Sequence, residues 1–564
     1  MKAAWTLAAA TAALTSTAFA ANSTCHCLPG DRCWPSPSAW KSLNTTVGGR
    51  LIATVPIGSP CHEPNYDAAA CAALQSSWNT PLPHLESSSS IMQTYFANQS
   101  CDPFAAQSQP CLLGNYPRYT VNVSSSADVI AAVKFAQAHN IRFVIKNTGH
   151  DYMGRSTGAG ALSVWTHNLN QVEYQEWSDP HYQGPAFKIA AGAMGYQILN
   201  AAHAHGLAVV GGECPTVGLA GGYIQGGGHS ALSTSFGLGA DNALSFEVVT
   251  AAGQLVTASR RQNKDLFWAL SGGGAGNYGV VVSVTVKAHP DTTTSGAGLQ
   301  FTQTANTTQA FWQAVTTFHT LLPQMTDQGV TVIYQMAPGF FAINPVTGYN
   351  KTAEDIQTIL APFTTALTHL GIAYKVTYTE YTSYYDHYNK YMGPLPYGNL
   401  AVAEYQYGGR LIPRDVLENN AVGMATVLRN LTAHGVIAVG VGMNVSQPGD
   451  VSNAIFPALR NAAVTMQIGT HWNKTAPRSQ MIADQRKITD EYVPQLEAVT
   501  PGSGCYQNEA DFRQPRWKET FFGRNYPLLH AIKSKWDPTN FFYVLKGVGS
   551  DAWTVSESGR MCRA

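Results

Sequence analysis

Charge is scarce in this chain: only 12% of its 564 residues are Asp, Glu, Lys or Arg, and 34 acidic residues balance 34 basic ones. Without a basic field or an acidic tail, the composition argues against nucleic-acid partners. Long hydrophobic runs are equally scarce. After residue 20 no stretch approaches the roughly 20 apolar residues of a bilayer span, so no membrane partner is expected. No G-x-G-x-x-G turn leads from a strand into a helix, which argues against a freely exchanging nicotinamide cofactor. No G-x-S-x-G elbow appears with ordered acid and histidine partners, which disfavours an α/β-hydrolase. Cys25-x-Cys27 has no histidine cluster to complete a metal site, so no metal is expected. No repeat of solenoid length is present.

What the chain does have begins at its N-terminus. Lys2, an apolar run from Ala3 to Leu14 and then Ala18-Phe19-Ala20 have the three parts of a secretory signal peptide, predicting cleavage after Ala20 and a secreted, extracellular protein. The triplets Asn44-Thr45-Thr46, Asn122-Val123-Ser124, Asn306-Thr307-Thr308 and Asn473-Lys474-Thr475 agree with that route. Eight cysteines (Cys25, Cys27, Cys33, Cys61, Cys71, Cys101, Cys111 and Cys562) lie near the two ends. In an oxidising compartment they suggest disulfides pinning the termini to the body, in a connectivity the spacing does not reveal. Cys214 and Cys505 stand apart and could pair with each other, unless Cys214 has another use.

The length predicts two or three domains. An irregular, disulfide-rich segment (21–112) precedes a region (113–290) in which strands, helices and glycine-rich turns alternate. Val129, Ala132, Val133 and Ala136 mark a helix, followed by a strand over Ile141 to Lys146. A second round has a strand over 186–191, a helix near 194–205 and a strand over 207–210. Phe246 to Thr257 reads as a hairpin turning at Ala252-Gly253. A short helix over 265–270 then leads through a glycine loop into a strand over 280–286. From 291 to 500 the pattern is α+β, with helices over 309–322 and 353–370 and strands over 330–335 and 401–407. Residues 501–564 are rich in aromatics and are expected to return to the 113–290 region.

Two glycine-rich turns at strand ends carry the chemistry. One reads Lys146-Asn147-Thr148-Gly149-His150-Asp151-Tyr152-Met153-Gly154-Arg155-Ser156. The other reads Gly211-Gly212-Glu213-Cys214-Pro215-Thr216-Val217-Gly218-Leu219-Ala220-Gly221-Gly222. Backbone amides in such turns can close around an anion. Further on come Gly226-Gly227-Gly228, Gly237 to Asn242, Asp265 to Gly279, Asn525-Tyr526 and Trp536-Asp537-Pro538. In this order the series resembles the berberine-bridge-enzyme-like branch of the vanillyl-alcohol-oxidase superfamily of flavoproteins, over most of residues 113 to 553.

The resemblance implies an α+β fold: a two-lobed, PCMH-type FAD-binding domain, a substrate domain with an antiparallel sheet, and a C-terminal return to the FAD domain. It implies FAD attached twice, His150 to the 8-methyl carbon and Cys214 to ring position 6. Two electron-withdrawing bonds would raise the flavin's potential, and a tethered cofactor cannot be lost outside the cell. Asn147, Gly149, Tyr152, Gly154, Arg155, Gly218, Gly222, Gly227 and Asn508 are the further implied FAD contacts, with glycines permitting close backbone approach. Arg155 could equally form a surface salt bridge. Val217, three residues past Cys214, is implied to lie beside the carbon where dioxygen reacts, which favours an oxidase releasing hydrogen peroxide. Where family members carry a histidine supporting the reduced flavin, this chain has Tyr223, a hydrogen-bond donor without charge. His229 is the nearby alternative.

Oxidising an alcohol carbon needs a hydride acceptor and a group that takes the proton. On an alternating strand Glu404 and Gln406 share one face, and Tyr405 and Tyr407 the other. Tyr-x-Tyr-Gly-Gly is similar to the family's active-site strand, and that resemblance favours the tyrosines. Tyr506, in Cys505-Tyr506-Gln507-Asn508-Glu509-Ala510-Asp511, is the other base candidate, with Asn508 and Asp511 holding the ring and neighbouring loops. A phenol of ordinary pKa near 10 needs a lowered value for this task. Tyr384, Tyr385 and His387 are candidates for the substrate mouth, with plain packing as the alternative. The expectation is a secreted, monomeric oxidase of a small molecule with an alcohol or hemiacetal carbon, such as an oligosaccharide. The alternatives are an oxidative cyclase or dehydrogenase of secondary metabolism, and a secreted flavoprotein without catalysis.

Overall fold

The computed structural model describes residues 25–97, 100–447, 449 and 451–564; the expected signal peptide lies outside them. Two small sheets come first. β1 (Leu51–Ala53), β2 (Tyr119–Asn122), β3 (Phe143–Lys146) and β4 (Leu162–Trp165) form a sheet in the order β1-β2-β4-β3, with β2, β4 and β3 parallel. α1 (Ser126–Ala138) carries the chain from β2 over to β3, leaving the place between them for β4, and buries Val129, Ala132, Val133 and Ala136. The second lobe is antiparallel, in the order β5-β6-β9-β7-β8. Its members are β5 (Val172–Ser178), β6 (Gln183–Ala190), β7 (Ala243–Val249), β8 (Leu255–Ser259) and β9 (Val280–Lys287). α2 (Gly195–Ala204) and α3 (Lys264–Leu270) fall within it. Gly274, Gly276 and Gly279 do carry the nicotinamide-type glycine spacing, but they run from α3 into β9, the reverse of a strand-to-helix turn.

The third layer is a seven-stranded antiparallel sheet in the order β13-β10-β12-β11-β15-β16-β14. Its strands are β10 (Thr294–Thr302), β11 (Val330–Ala337), β12 (Phe340–Tyr349), β13 (Tyr374–Tyr381), β14 (Tyr405–Pro413), β15 (Ile437–Gly442) and β16 (Ala462–His471). α4 (Thr308–Asp327), α5 (Ala353–His369) and α7 (Ala421–Ala433) cover one face, packing Phe311, Phe318, Leu322, Phe363 and Leu428 onto Val332, Met336, Phe341 and Met466. Because side chains alternate along a strand, the residues between these (Ile333, Val439, Val441, Thr465, Gln467) face the other way, toward the first two lobes. α6 (Tyr384–Tyr391) packs between the layers, and α8 (Tyr526–Trp536) packs on α3. The C-terminal segment thus rejoins the second lobe, where Phe521, Phe522, Leu529 and Ile532 share a core with Phe246, Leu266 and Leu270.

Two expectations need correction. The strand expected over 401–407 begins at Tyr405 and runs through Gly408-Gly409 to Pro413. Before it, Ala403 has a positive φ of 51°, and Val402 and Ala403 donate to the carbonyls of Asn79 and Met92. The glycine pair is no strand end: a Cβ on Gly409 would lie 2.2 Å from the Glu509 carbonyl, so Gly409 lets the C-terminal segment cross the strand, while Gly408 makes room for Ile488 and Val493 on the other face. As for the cysteines, only Cys25–Cys562 joins the termini. Cys27–Cys33, Cys61–Cys71 and Cys101–Cys111 are local, and Cys214 and Cys505 are both free, so they do not pair.

Candidate functional site

A cavity of about 720 Å³ opens between the lobes and the free face of the large sheet. That size falls within the range of small-molecule sites. Its lobe wall is made by the two turns read from the sequence. Gly149, at φ 95°, reverses the chain after β3 and sets His150 against the second turn. There His150 Nε2 lies 2.7 Å from the Thr216 hydroxyl and 3.8 Å from Cys214 Sγ, and Sγ lies 3.3 Å from the same hydroxyl. Burial, with His84 and Lys146 nearby, lowers the His150 pKa to about 3, so its imidazole is neutral and nucleophilic. Burial also raises the Cys214 thiol above its ordinary value, against the pull of the Thr216 hydroxyl.

Lys146, beneath this turn, is fully buried with a carbonyl partner, His84 O at 3.3 Å, and stands over the Trp165 ring. Burial alone brings its pKa down to about 7. Asn147 donates to the Ala191 carbonyl while its Oδ1 is buried without a partner. Gly218 and Gly221 lie flat on Asn147, where any Cβ would collide. Gln225 Oε1 is likewise buried and unpaired. Arg155 donates to the carbonyls of Leu545 and Lys546 and to Gln507, so it ties the turn to the C-terminal segment rather than forming a surface salt bridge. Burial lowers it to about 10, and it stays charged at neutral pH. Glycine surfaces, orphaned buried acceptors, a buried cation and the paired His150 and Cys214 make a wall that fits a large, polar, planar cofactor.

The sheet wall carries Tyr405 and Tyr407, whereas Gln406 points away, donating to the Met481 carbonyl. The Tyr407 ring stacks on Tyr152 at 4.0 Å. Glu404 lies before the strand and lines the cavity, 3.6 Å from the exposed His471. Burial, with Tyr152 second, pushes the Tyr407 phenol well above its ordinary value. Burial does the same to Tyr506, whose oxygen accepts from the Gly228 amide at 3.1 Å and from Asn508 Nδ2 at 2.8 Å. Asn508 also donates to the Gly222 carbonyl. Val217, Gly218, Gly222 and Tyr223 line the cavity, but the Tyr223 hydroxyl is spent on the His229 carbonyl. Gly154 and Gly227 lie outside the lining; Gly154 makes room for the Phe96 ring. Asp511 binds Thr489, Gln485 and the Arg513 amide, away from the cavity. The substrate-mouth expectation does not hold: Tyr384 and His387 are buried in α6 packing and Tyr385 stacks on His203, and none of the three lines the cavity.

Two cavity residues had gone unassigned in the sequence, Glu213 and Glu509. They flank His229, Nδ1 lying 3.2 Å from Glu213 and Nε2 lying 2.7 Å from Glu509. Burial opposes a charge on this imidazole, yet the two carboxylates outweigh it and hold its pKa well above the ordinary value. Both stand next to more conspicuous residues, Cys214 and Asn508, and the only signal was an acid inside each glycine-rich or C-terminal motif.

Together the fold and the site define a flavin-dependent oxidoreductase. The FAD binding domain family matches residues 117–259, and the berberine and berberine-like family matches residues 505–549. The chain is 52% identical over 541 residues to the FAD-linked oxidoreductase ZEB1 of Gibberella zeae, covering 96% of this chain and 95% of ZEB1. It is 43% identical over 551 residues to the VAO-type flavoprotein oxidase VAO615 of Thermothelomyces thermophilus, covering 96% and 95%. Among solved structures, the VAO-type flavoprotein MtVAO615 from Myceliophthora thermophila C1 superposes with a TM-score of 0.92 at 42% identity, covering 96% of this chain and all of that one. The chain belongs to the FAD-linked oxidoreductases of the vanillyl-alcohol-oxidase and berberine-bridge-enzyme-like family, and its cofactor is FAD.

Proposed function

We propose that the protein is a secreted, monomeric oxidase whose FAD is bound covalently to both His150 and Cys214, and which oxidises an alcohol or hemiacetal carbon while reducing dioxygen to hydrogen peroxide. The observation that carries this reading is the side-by-side placement of a neutral imidazole and a free thiol, 3.8 Å apart in the cavity wall. Bound there, FAD supplies hydride acceptance. Asn147, Gly149, Tyr152, Arg155, Gly218 and Gly222 hold it, and the half-buried Val217 leaves room for dioxygen. Four disulfides support passage through an oxidising compartment. Ile333, Ile437, Val439 and Val441 present an apolar strand face to the substrate space. That largely apolar face, with Thr465 and Gln467 as its polar groups, favours a compact metabolite alcohol with few hydroxyls over a long oligosaccharide.

The test is an absorption spectrum before and after acid precipitation, for wild type, His150→Ala, Cys214→Ala and the double variant. Flavin colour should stay with the precipitate in wild type and in each single variant, and leave it in the double variant. Colour that washes out of the wild-type precipitate would remove the double attachment. With the flavin secured, peroxide release during a screen of alcohols tests the oxidase reading.

A further inference from the structure

The cavity contains a charge arrangement that the family motifs do not name. We propose that Glu509 takes the hydroxyl proton of the substrate, held in place by His229 between Glu509 and Glu213, so that the protein acts on uncharged alcohols and rejects carboxylate anions. This rests on the alcohol-oxidase reading above.

The geometry singles out Glu509. Its Oε1 is fixed 2.7 Å from His229 Nε2, while no bond to Oε2 is found among the described residues. The side chain keeps 26% of its surface exposed and lines the cavity. The backbone beneath it is rigid, because the Glu509 amide donates to the Tyr506 carbonyl and the Glu509 carbonyl crosses Gly409 and meets the Cys505 thiol. One anchored oxygen and one open oxygen on a fixed backbone is what a proton acceptor requires.

The competing groups are occupied or misplaced. Both lone pairs of the Tyr506 oxygen are taken by Gly228 and Asn508, so in its neutral form it has only a proton to offer. Tyr407 is buried under Tyr152, and burial raises its phenol further from a useful value. Glu404 leans on His471, which is 59% exposed, at the solvent end. Glu213 meets His229 Nδ1 with both of its oxygens near 3.2 Å, which leaves neither open.

Charge then sets the substrate class. His229 donates to a carboxylate from each ring nitrogen, so its single positive charge faces two negative ones and one negative charge remains. Tyr506, Tyr223 and the α6 tyrosines surround the cluster without adding a cation. A substrate hydroxyl can donate to Oε2, whereas a substrate carboxylate would meet like charge. Glu509 would take the hydroxyl proton of the alcohol, and bound FAD would supply the acceptor for the C–H hydrogen with its bonding electron pair. A carbonyl forms, and the two electrons and two protons leave on dioxygen as hydrogen peroxide.

The experiment uses the holoprotein and three probes: phenol and benzoate, read by perturbation of the flavin absorbance, and 4-methoxybenzyl alcohol, read by anaerobic bleaching. Wild type should bind phenol at least about tenfold more tightly than benzoate, and Glu509→Gln should erase that preference. Bleaching should fall about a hundredfold or more in Glu509→Gln, the scale of a lost general base, and partly return in Glu509→Asp. His229→Asn should slow bleaching at saturating alcohol while the half-saturating concentration moves less than about threefold, a split that a merely loosened cavity would not give. Acid-precipitable flavin should be unchanged in all variants, which separates this proposal from the double-attachment reading. Equal or tighter benzoate binding in wild type overturns the proposal even if the alcohol does not bleach the flavin. So does the absence of binding by either probe, or a Tyr506→Phe variant that loses bleaching while Glu509→Gln keeps it.

Discussion

The lobes and the C-terminal segment packed on them bury Lys146, Arg142, Lys533 and Asp537, whereas the sheet opposite buries mainly apolar side chains, Phe311, Phe318, Phe341 and Phe363 among them, with Arg410 a buried charge on β14 that is held by Thr500. The same chain therefore stabilises its two halves by different means. On the lobe side irregular loops must satisfy polar groups one by one, and each buried cation is tied to carbonyls or to a carboxylate. On the sheet side regular strands satisfy the backbone, and apolar packing carries the rest. The residues proposed to hold FAD come from the irregular half, where loops can be shaped around a ligand. The regular half supplies a flat, mostly apolar face.

The contrast can be broken at its most buried ion pair. Lys533 Nζ lies 2.6 Å from Asp537 and also donates to the carbonyls of Asn277 and Phe542, with both side chains almost wholly buried. Asp537 in turn accepts the amides of Phe541 and Phe542. Lys533→Met should cost about 3–5 kcal/mol in denaturant melts, because it strands a buried carboxylate.

Lys146→Met should have the opposite sign and depend on pH. Its folded pKa, about 7, lies below the ordinary lysine value. Between pH 7 and roughly 10.4 the unfolded chain keeps a proton that the folded chain has released, so wild-type stability rises with pH across that window. The variant should melt above wild type at pH 6 by a few kcal/mol, and the gap should close as pH approaches 10. A gap that does not move with pH would mean that the amine finds more solvation than its burial indicates.

The smallest effect belongs to the sheet side. Arg414 meets Asp327 and Glu418 at the surface, with each side chain more than a third exposed. Arg414→Ala should cost only about 0.2–1 kcal/mol, and less in high salt. A larger loss would show that the sheet half also leans on ion pairs.

This division also explains what could be read from sequence. His150 and Cys214 were legible because glycines on either side of each mark a turn that nothing else requires. The amphipathic period placed α5 to within a residue at its ends, whereas α4 runs five residues past its expected end at 322. Glu509 was not legible, since its partner His229 lies 280 residues away and no local pattern links them. Gly408-Gly409 looked like a strand end because glycine breaks strands locally, whereas here Gly409 answers a contact with the C-terminal segment and Gly408 one with Ile488 and Val493. In α6 the tyrosines looked like a binding surface, but Tyr384, His387, Tyr388 and Tyr391 fall on one helical face and turn inward.

The Cys25–Cys562 bond closes a covalent ring around nearly the whole described chain, spanning 537 positions. Beside it the His26 ring stacks on Trp553, and Cys25 and Cys562 pair as a single β-bridge. A protease that cuts one exposed loop within that span releases no fragment. It turns the molecule into a circular permutant with new ends at the cut, and the two pieces part only when the disulfide is reduced.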